Sequence, residues 1–330
     1  MPKHQPPFTL NNKILSQVAE ISEAMGRLSV VFEQEQSLKL RRVNRMRTIQ
    51  GSLAIEGNTL SEEQITAILD GKRIIAPPKE VKEASNAIAV YEQLDQWQPE
   101  KGKHLLAAHK VLMLGLEDDA GTYRSGGVGV MSGKKVVHMA PQAERVPGLM
   151  KALFTWLKNS DAHPLITSSV FHYEFEFIHP FADGNGRMGR LWQTLILSKW
   201  HSVFAYIPVE SLVHQHQDNY YLAIRQSTAQ GESTPFIEFM LGMIYQAIKE
   251  LSETSTTQKT DQKTTQKTTQ NQQAILDYLK IHPQASRKEL AEMIDTITES
   301  GVKYNLKALQ DMGLLKRIGS ARSGHWKVLD

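Results

Sequence analysis

The chain has 330 residues, 41% hydrophobic and 22% charged, with 38 Lys and Arg against 35 Asp and Glu. That length and apolar content exclude global disorder and leave room for two domains. The net charge of +3 is too small to argue for a nucleic-acid or membrane surface, and the absence of Cys excludes disulfides, thiol nucleophiles and Cys-ligated zinc.

The opening MPKHQPPFTLNNK has no apolar run of the kind a secretory signal carries, and no window approaches the ~18 apolar residues of a membrane helix. A soluble, cytoplasmic protein is expected. Residues 12–50 show helical spacing with few breakers. SLAIEGN (52–58) ends a helix, because Gly57 and Asn58 tolerate a left-handed cap. SEEQITAILDG starts a new one, with Ser61 and Gln64 as a capping box and Gly71 closing it. Helices continue through PPKEVKEASNAIAVYEQLDQW and KGKHLLAAHKVLMLGL. The glycine-rich GTYRSGGVGVMSGKKVVHMAP reads as a β-hairpin turning near Ser132–Lys134. Helices resume at AERVPGLMKALFTWLKN, HPLITSSVFHYEFEFIHPF and RMGRLWQTLILSKW, with two more over 219–250.

Residues 253–273 are rich in Thr, Gln and Lys with no apolar member, which predicts a flexible linker or the solvated entry to a helix. Residues 274–330 then read as three helices and two short strands, the winged helix-turn-helix order. The expected organisation is a helical domain over 1–252, a polar linker over 253–273 and a winged-helix domain over 274–330.

His179 to Arg190 reads HPFADGNGRMGR. Gly184 and Gly186 flank Asn185 just before a helix, so backbone N–H groups and the helix dipole can converge on an anion. Arg187 and Arg190, three apart, share a helix face and can grip further phosphate oxygens. Asp183 at the mouth is a natural Mg²⁺ ligand beside phosphates. A free imidazole titrates near ~6.5, which makes His179 a candidate general base at neutral pH. Together these residues suit a nucleotide held with Mg²⁺ and a hydroxyl attacking phosphorus.

The run resembles the Fic signature, His-x-Phe-x-(Asp/Glu)-Gly-Asn-Gly-Arg-x-x-Arg, at every defined position. The resemblance covers roughly residues 40–250 and implies a mainly α fold, a helical core over about 100–250 with a β-hairpin flap. Most enzymes of the family transfer AMP from ATP to a Tyr, Thr or Ser hydroxyl of a protein. The resemblance makes His179 the base, Phe181 a core residue and Asp183 the Mg²⁺ ligand. Gly184, Asn185 and Gly186 would cradle the α- and β-phosphates, and Arg187 and Arg190 would hold the β- and γ-phosphates. The kinase-like Doc branch lacks the Gly-Asn-Gly pattern, which points here to AMP transfer; a phosphocholine-transferring relative keeps a similar signature.

Ser52 and Glu56 lie four apart on one helix face. Before a Fic core, SLAIEGN resembles the inhibitory motif (Ser/Thr)-x-x-x-Glu-(Gly/Asn), whose Glu pairs with the second signature Arg, here Arg190. An autoinhibited enzyme is expected; in some relatives the same site removes AMP. The hairpin would be the flap that aligns a target segment by strand addition, with Val136 and Val137 at its edge. Asn219, Tyr220 and Tyr221 fall where the family often lines the adenine pocket. His138, His172 and His214 are read as structural or exposed. In the third helix of the last domain Lys303, Asn305 and Lys307, with Lys316, Arg317 and Arg322 near the wing, are candidate phosphate contacts, diluted by Asp295, Glu299 and Asp311. Expected partners are a protein substrate, the chain itself through self-modification, DNA through the winged helix, and a second copy, since relatives often dimerise. The competing reading is a DNA-binding regulator with a nucleotide-sensing Fic domain.

Overall fold

The computed structural model describes residues 5–32, 37–127, 129–132, 135–264, 269–294, 297–311, 313–319 and 324–329. Its elements, in chain order, are α1 (Asn12–Phe32), α2 (Ser37–Ile55), α3 (Glu62–Leu69), α4 (Pro78–Glu92), α5 (Gly102–Leu112), β1 (Gly129–Ser132), β2 (Lys135–Met139), α6 (Val146–Asn159), α7 (Pro164–Ile178), α8 (Asn185–Trp200), α9 (Val209–Gln215), α10 (Gln217–Gln230), α11 (Thr234–Thr264), α12 (Gln270–Ile281), α13 (Arg287–Met293), α14 (Glu299–Asp311), β3 (Leu315–Ile318) and β4 (His325–Val328). They form two compact units, Met1–Glu253 and Thr254–Asp330.

In the first unit α7 is buried on nearly every side. Apolar residues occur on every side of it, with Ser168, His172 and Glu176 buried among them, as in a central helix. It divides the core in two. One half joins α7 to α1, α10 and α11 through residues such as Ile21, Val170, Phe236 and Ile244. The other joins it to α2, α4, α5 and α8 through Ile49, Val90, Phe171, Phe175 and Trp192. Full burial of one such side chain stabilises by about 1.5–3 kcal/mol, so the α7–α8 pair is a rigid base for the segment between them.

Two glycines decide how neighbours meet this base. A Cβ on Gly51 would lie 2.6 Å from the backbone nitrogen of Ser211. Only Gly lets α2 press this closely on the start of α9, and that approach sets where the end of α2 lies. Gly184 takes φ 80° at the start of α8, in the left-handed region that favours Gly.

The hairpin is antiparallel, with Val130 opposite His138 and Met131 opposite Val136. The register slips between Val130 and Met131, leaving Val137 as the extra residue of a bulge. Residues 133–134 of the expected turn, and the side chains of Val136, Val137 and His138, lie outside what is described.

The second unit has α12, α13 and α14 followed by the antiparallel pair β3–β4. Ile275, Leu279, Leu290, Val302 and Leu309 form its core. Ser286 caps α13 in a box with Glu289.

Two boundaries differ from expectation. The expected linker is largely helical: α11 runs on to Thr264, and Thr269 with Gln272 forms a capping box that starts α12 at Gln270. Thr and Gln are middling helix formers without a Pro or Gly to stop them, and once the apolar turns of α11 have nucleated the helix, propagation costs little. The second Gly of the signature lies inside α8, which begins at Asn185 and not near Arg187.

Candidate active site

The site forms where α7 ends and α8 begins. His179 caps α7 in the left-handed conformation, φ 50°, the only non-Gly residue with positive φ among those described. A side chain held there costs on the order of 1–3 kcal/mol. Pro180 disfavours the helical region for the residue before it, so α7 must stop at this point.

Arg124 secures the strained turn. Its Nε donates to the His179 carbonyl at 2.7 Å, and its Nη2 reaches the Ile178 carbonyl at 3.3 Å. Its backbone N–H donates to the Pro180 carbonyl at 2.9 Å. The same guanidinium donates to the carbonyls of Gly126 and Pro141, which flank the hairpin. One buried cation thus ties the turn carrying His179 to both ends of the flap.

The loop that follows is folded by its own side chains. Asn185 accepts from the Phe181 N–H and donates to the Phe181 carbonyl, both at 2.9 Å. Its side chain is therefore committed to closing the loop, and its contribution to an anion would come from its backbone N–H. Phe181 is fully buried and stacks on His109 with ring centroids 3.6 Å apart. His109 Nδ1 accepts from the Gly121 N–H at 2.9 Å, which leaves Nε2 as the donor to the Asp183 carbonyl at 3.0 Å.

Burial pushes the His109 imidazole down to about 4. The unfolded chain therefore binds a proton near ~6.5 that the fold rejects. The stabilising contribution is complete above that pH and is lost as pH falls from ~6.5 towards 4, by roughly 1 kcal/mol per unit. His109→Gln keeps both hydrogen bonds and cannot titrate. Between pH 7 and 5 the wild type is expected to lose more thermal stability than this variant, and parallel melting curves would refute the assignment.

Asp183 is half-exposed; its Oδ1 accepts from the Gly184 N–H at 2.5 Å and lies 3.3 Å from Arg187 Nη2. Arg187 is buried between that carboxylate and Glu83, whose Oε1 lies 3.6 Å away. Glu83 also accepts from Asn58 Nδ2 at 2.9 Å, which links the loop after α2 to Arg187.

Arg190 is almost fully buried. Its Nη2 donates to Glu56 Oε1 at 2.6 Å and to the Ser52 carbonyl at 2.9 Å, and its Nε donates to Ser52 Oγ at 3.1 Å. Burial alone would lower the guanidinium pKa; the Glu56 carboxylate, together with Tyr220 and Glu176, more than offsets it and holds the group above its ordinary value. A Cβ on Gly186 would collide with that carboxylate. Glu56 thus lies directly over the N-terminus of α8, where an anion is favoured. The end of α2 is held there by Gln217 Nε2, which donates to the Ile55 carbonyl at 2.9 Å.

Glu176 stands behind the base, its Oε2 3.9 Å from His179 Nδ1. Burial raises this carboxyl to about 7; Arg190 lowers it and Glu56 raises it further. Its neighbour His172 is fully buried, hydrogen bonds Gln193 at 2.6 Å and Tyr220 at 3.1 Å, and is pushed down to about 3 by burial. Tyr220 is likewise committed to the core. Asn219 is exposed on α10, while the half-buried Tyr221 lies close enough for the Glu56 charge to act on its hydroxyl. No group of three or more His, Asp or Glu gathers for a metal among the described residues. His109, Arg124, Glu176 and Glu83 escape sequence reading because each is an ordinary residue on its own helix or loop; the only local hint is the GTYR run before the hairpin.

These features define an α-helical protein whose functional centre is an anion-binding helix N-terminus with a histidine beside it. Comparison narrows the class. Residues 99–197 match the Fic/DOC family. The crystal structure of a Fic family protein from Desulfovibrio desulfuricans G20 is 42% identical, with a TM-score of 0.78 over 99% of this chain and 98% of that one. Fic-1 (residues 134–508) from C. elegans shares the fold, with a TM-score of 0.61, 22% identity and 74% of each chain covered. The protein adenylyltransferase Fic of Nematostella vectensis is 31% identical over 204 residues, covering 58% of this chain and 45% of that protein. The chain spans about half the length of the curated relatives it matches, or somewhat less. It belongs to the Fic family.

Proposed function

We propose that the chain transfers AMP from ATP to a Tyr, Thr or Ser hydroxyl of a protein and is held in check by Glu56. The observation that carries this reading is the meeting of His179, the α8 N-terminus and Arg190 at one turn. The curated relatives named protein adenylyltransferase support it.

In the proposed reaction the target hydroxyl oxygen attacks the α-phosphorus and its proton passes to His179. The bond from the α-phosphorus to the bridging oxygen breaks, and pyrophosphate leaves. The backbone N–H groups at the start of α8, with Arg187 and Arg190, would hold the phosphates. The half-exposed Asp183 carboxylate fits a hard divalent ion that takes its other ligands from phosphate and water, so Mg²⁺ would be held there and would offset phosphate charge. Glu176, near Nδ1, would favour the imidazolium as His179 takes the proton. Asn219 and Tyr221 are proposed for the adenine side, and the bulged flap strand at Val136 and Val137 for the target segment. Self-modification and dimerisation belong to the same reading. No described helix is long and apolar enough to cross a membrane.

The test uses Mg²⁺ with ATP labelled at the α- or the γ-phosphate, and protein-bound label read on a gel. Label from the α-position alone is expected. Label from the γ-position would mean phosphoryl transfer, and none from either in both the wild type and Glu56→Gly would overturn the reading.

Arg124 supplies a further check as a positioning residue. Arg124→Gln is expected to lower kcat about tenfold with a smaller change in the KM for ATP, because it loosens His179 and the flap without touching the phosphate cradle. Arg124→Lys should recover little, since one ammonium cannot reach four carbonyls. A variant changed only in KM would sink this role.

A further inference from the structure

The charge of the chain is unevenly shared. Residues 254–330 hold twelve Lys and Arg against eight Asp and Glu, whereas 1–253 hold 26 against 27. The basic excess therefore belongs to the second unit.

Within that unit α13, α14 and the β3–β4 hairpin enclose an open groove of about 1380 Å³. Arg287, Lys303, Lys307 and Arg317 line it, and no Asp or Glu does among the described residues. Every charged side chain that lines it is therefore a cation. One side of the groove is a single face of α14: Ser300, Lys303, Tyr304, Lys307 and Gln310 follow the spacing of one helical stripe with Leu306 at its edge, while Val302 and Leu309 are buried on the other side. Tyr304 is 75% exposed, an unusual position for an aromatic ring. The walls are firmly set. The Trp326 backbone N–H donates to the Pro283 carbonyl at 2.7 Å, joining the hairpin to the turn before α13. The Arg317 guanidinium lies 4.7 Å over the Trp326 ring.

We infer that this groove binds duplex DNA, with α14 entering the major groove. The major groove is about 12 Å wide and admits one α-helix, whereas the major groove of A-form RNA is too narrow to read. Single-stranded DNA is usually held on several stacking aromatics; here Tyr304 is the exposed one, since Trp326 is covered by Arg317. Lys303, Lys307, Arg287 and Arg317 contact phosphates, and Ser300, Tyr304 and Gln310 face the bases. Two of the residues expected from sequence fall away. Asn305 lies about 200° from Lys303 around the helix and donates to the Gly301 carbonyl at 2.8 Å. Lys316 alternates to the opposite face from Arg317. Arg322 and Asp295 lie outside the described residues.

The test is fluorescence anisotropy of the full chain with a labelled 30-base-pair duplex of mixed sequence, without ATP, from 50 to 200 mM KCl. Because no nucleotide is present, its outcome is independent of AMP transfer. Binding is expected to weaken steeply with salt. Lys303→Ala/Lys307→Ala should flatten the log–log salt slope by about two and weaken binding roughly tenfold. Lys280→Ala, an equally exposed lysine of α12 outside the groove, should leave the slope unchanged, with melting curves confirming that both variants fold. Duplex RNA and single-stranded DNA should compete at least tenfold less well. No binding at 50 mM KCl, equal losses in the Lys280 variant, or equal competition by RNA or single strands would each overturn the inference.

Discussion

Glu56→Gly should raise self-labelling from α-labelled ATP by on the order of 10²-fold over wild type. Two effects of the side chain combine. Its carboxylate occupies Arg190 Nη2 at 2.6 Å, removing the cation a phosphate would use. It also lies against Gly186 at the start of α8, so an incoming phosphate meets a like charge at its binding point. ATP forced out of line loses rate even where affinity survives. Glu56→Gln separates the two, keeping bulk and a hydrogen-bond acceptor while removing charge, and should give an intermediate gain. Without nucleotide the Gly variant should melt lower than wild type, because Arg190 is left buried without its carboxylate, and ATP should then raise its melting temperature more than it raises that of wild type. Equal labelling of wild type and Glu56→Gly would show that Glu56 is no brake.

In that released background, His179→Ala is expected to cut labelling by 10²–10⁴-fold while leaving nucleotide binding nearly intact. The reason is the division of labour in the turn. His179 is the last residue on the α7 side, and the groups proposed to bind the phosphates all belong to α8. The variant also relieves no strain, since Ala in the left-handed region is no more comfortable than His. Retained labelling with lost binding would reverse these roles and mean that the hydroxyl is deprotonated elsewhere.

Much of the site is legible in the sequence. The signature is a contiguous turn, and its parts act through short-range effects: a helix N-terminus, a glycine hinge, arginines three apart. The capping boxes at Ser61 and Ser286 are readable for the same reason, as each is closed within four residues. Local reading fails where a partner is remote or where a helix is sustained by its neighbours. The Thr/Gln/Lys run resembles a linker because its composition buries nothing, yet α11 carries it as helix to Thr264. Grouping Lys303 with Asn305 overlooks the turn of about 100° between successive helical residues.

The chemistry of the turn is written locally, because residues within four positions of one another meet whatever the rest of the chain does. Which distant groups serve that turn is decided by tertiary packing alone. Glu56 reaches Arg190 across 134 positions because Gly51 lets α2 lie against α9. Arg124 reaches His179 across 55, and His109 reaches Asp183 across 74. Those meetings depend on how helices pack, and packing is set by the summed burial of side chains throughout the core, not by any stretch read alone.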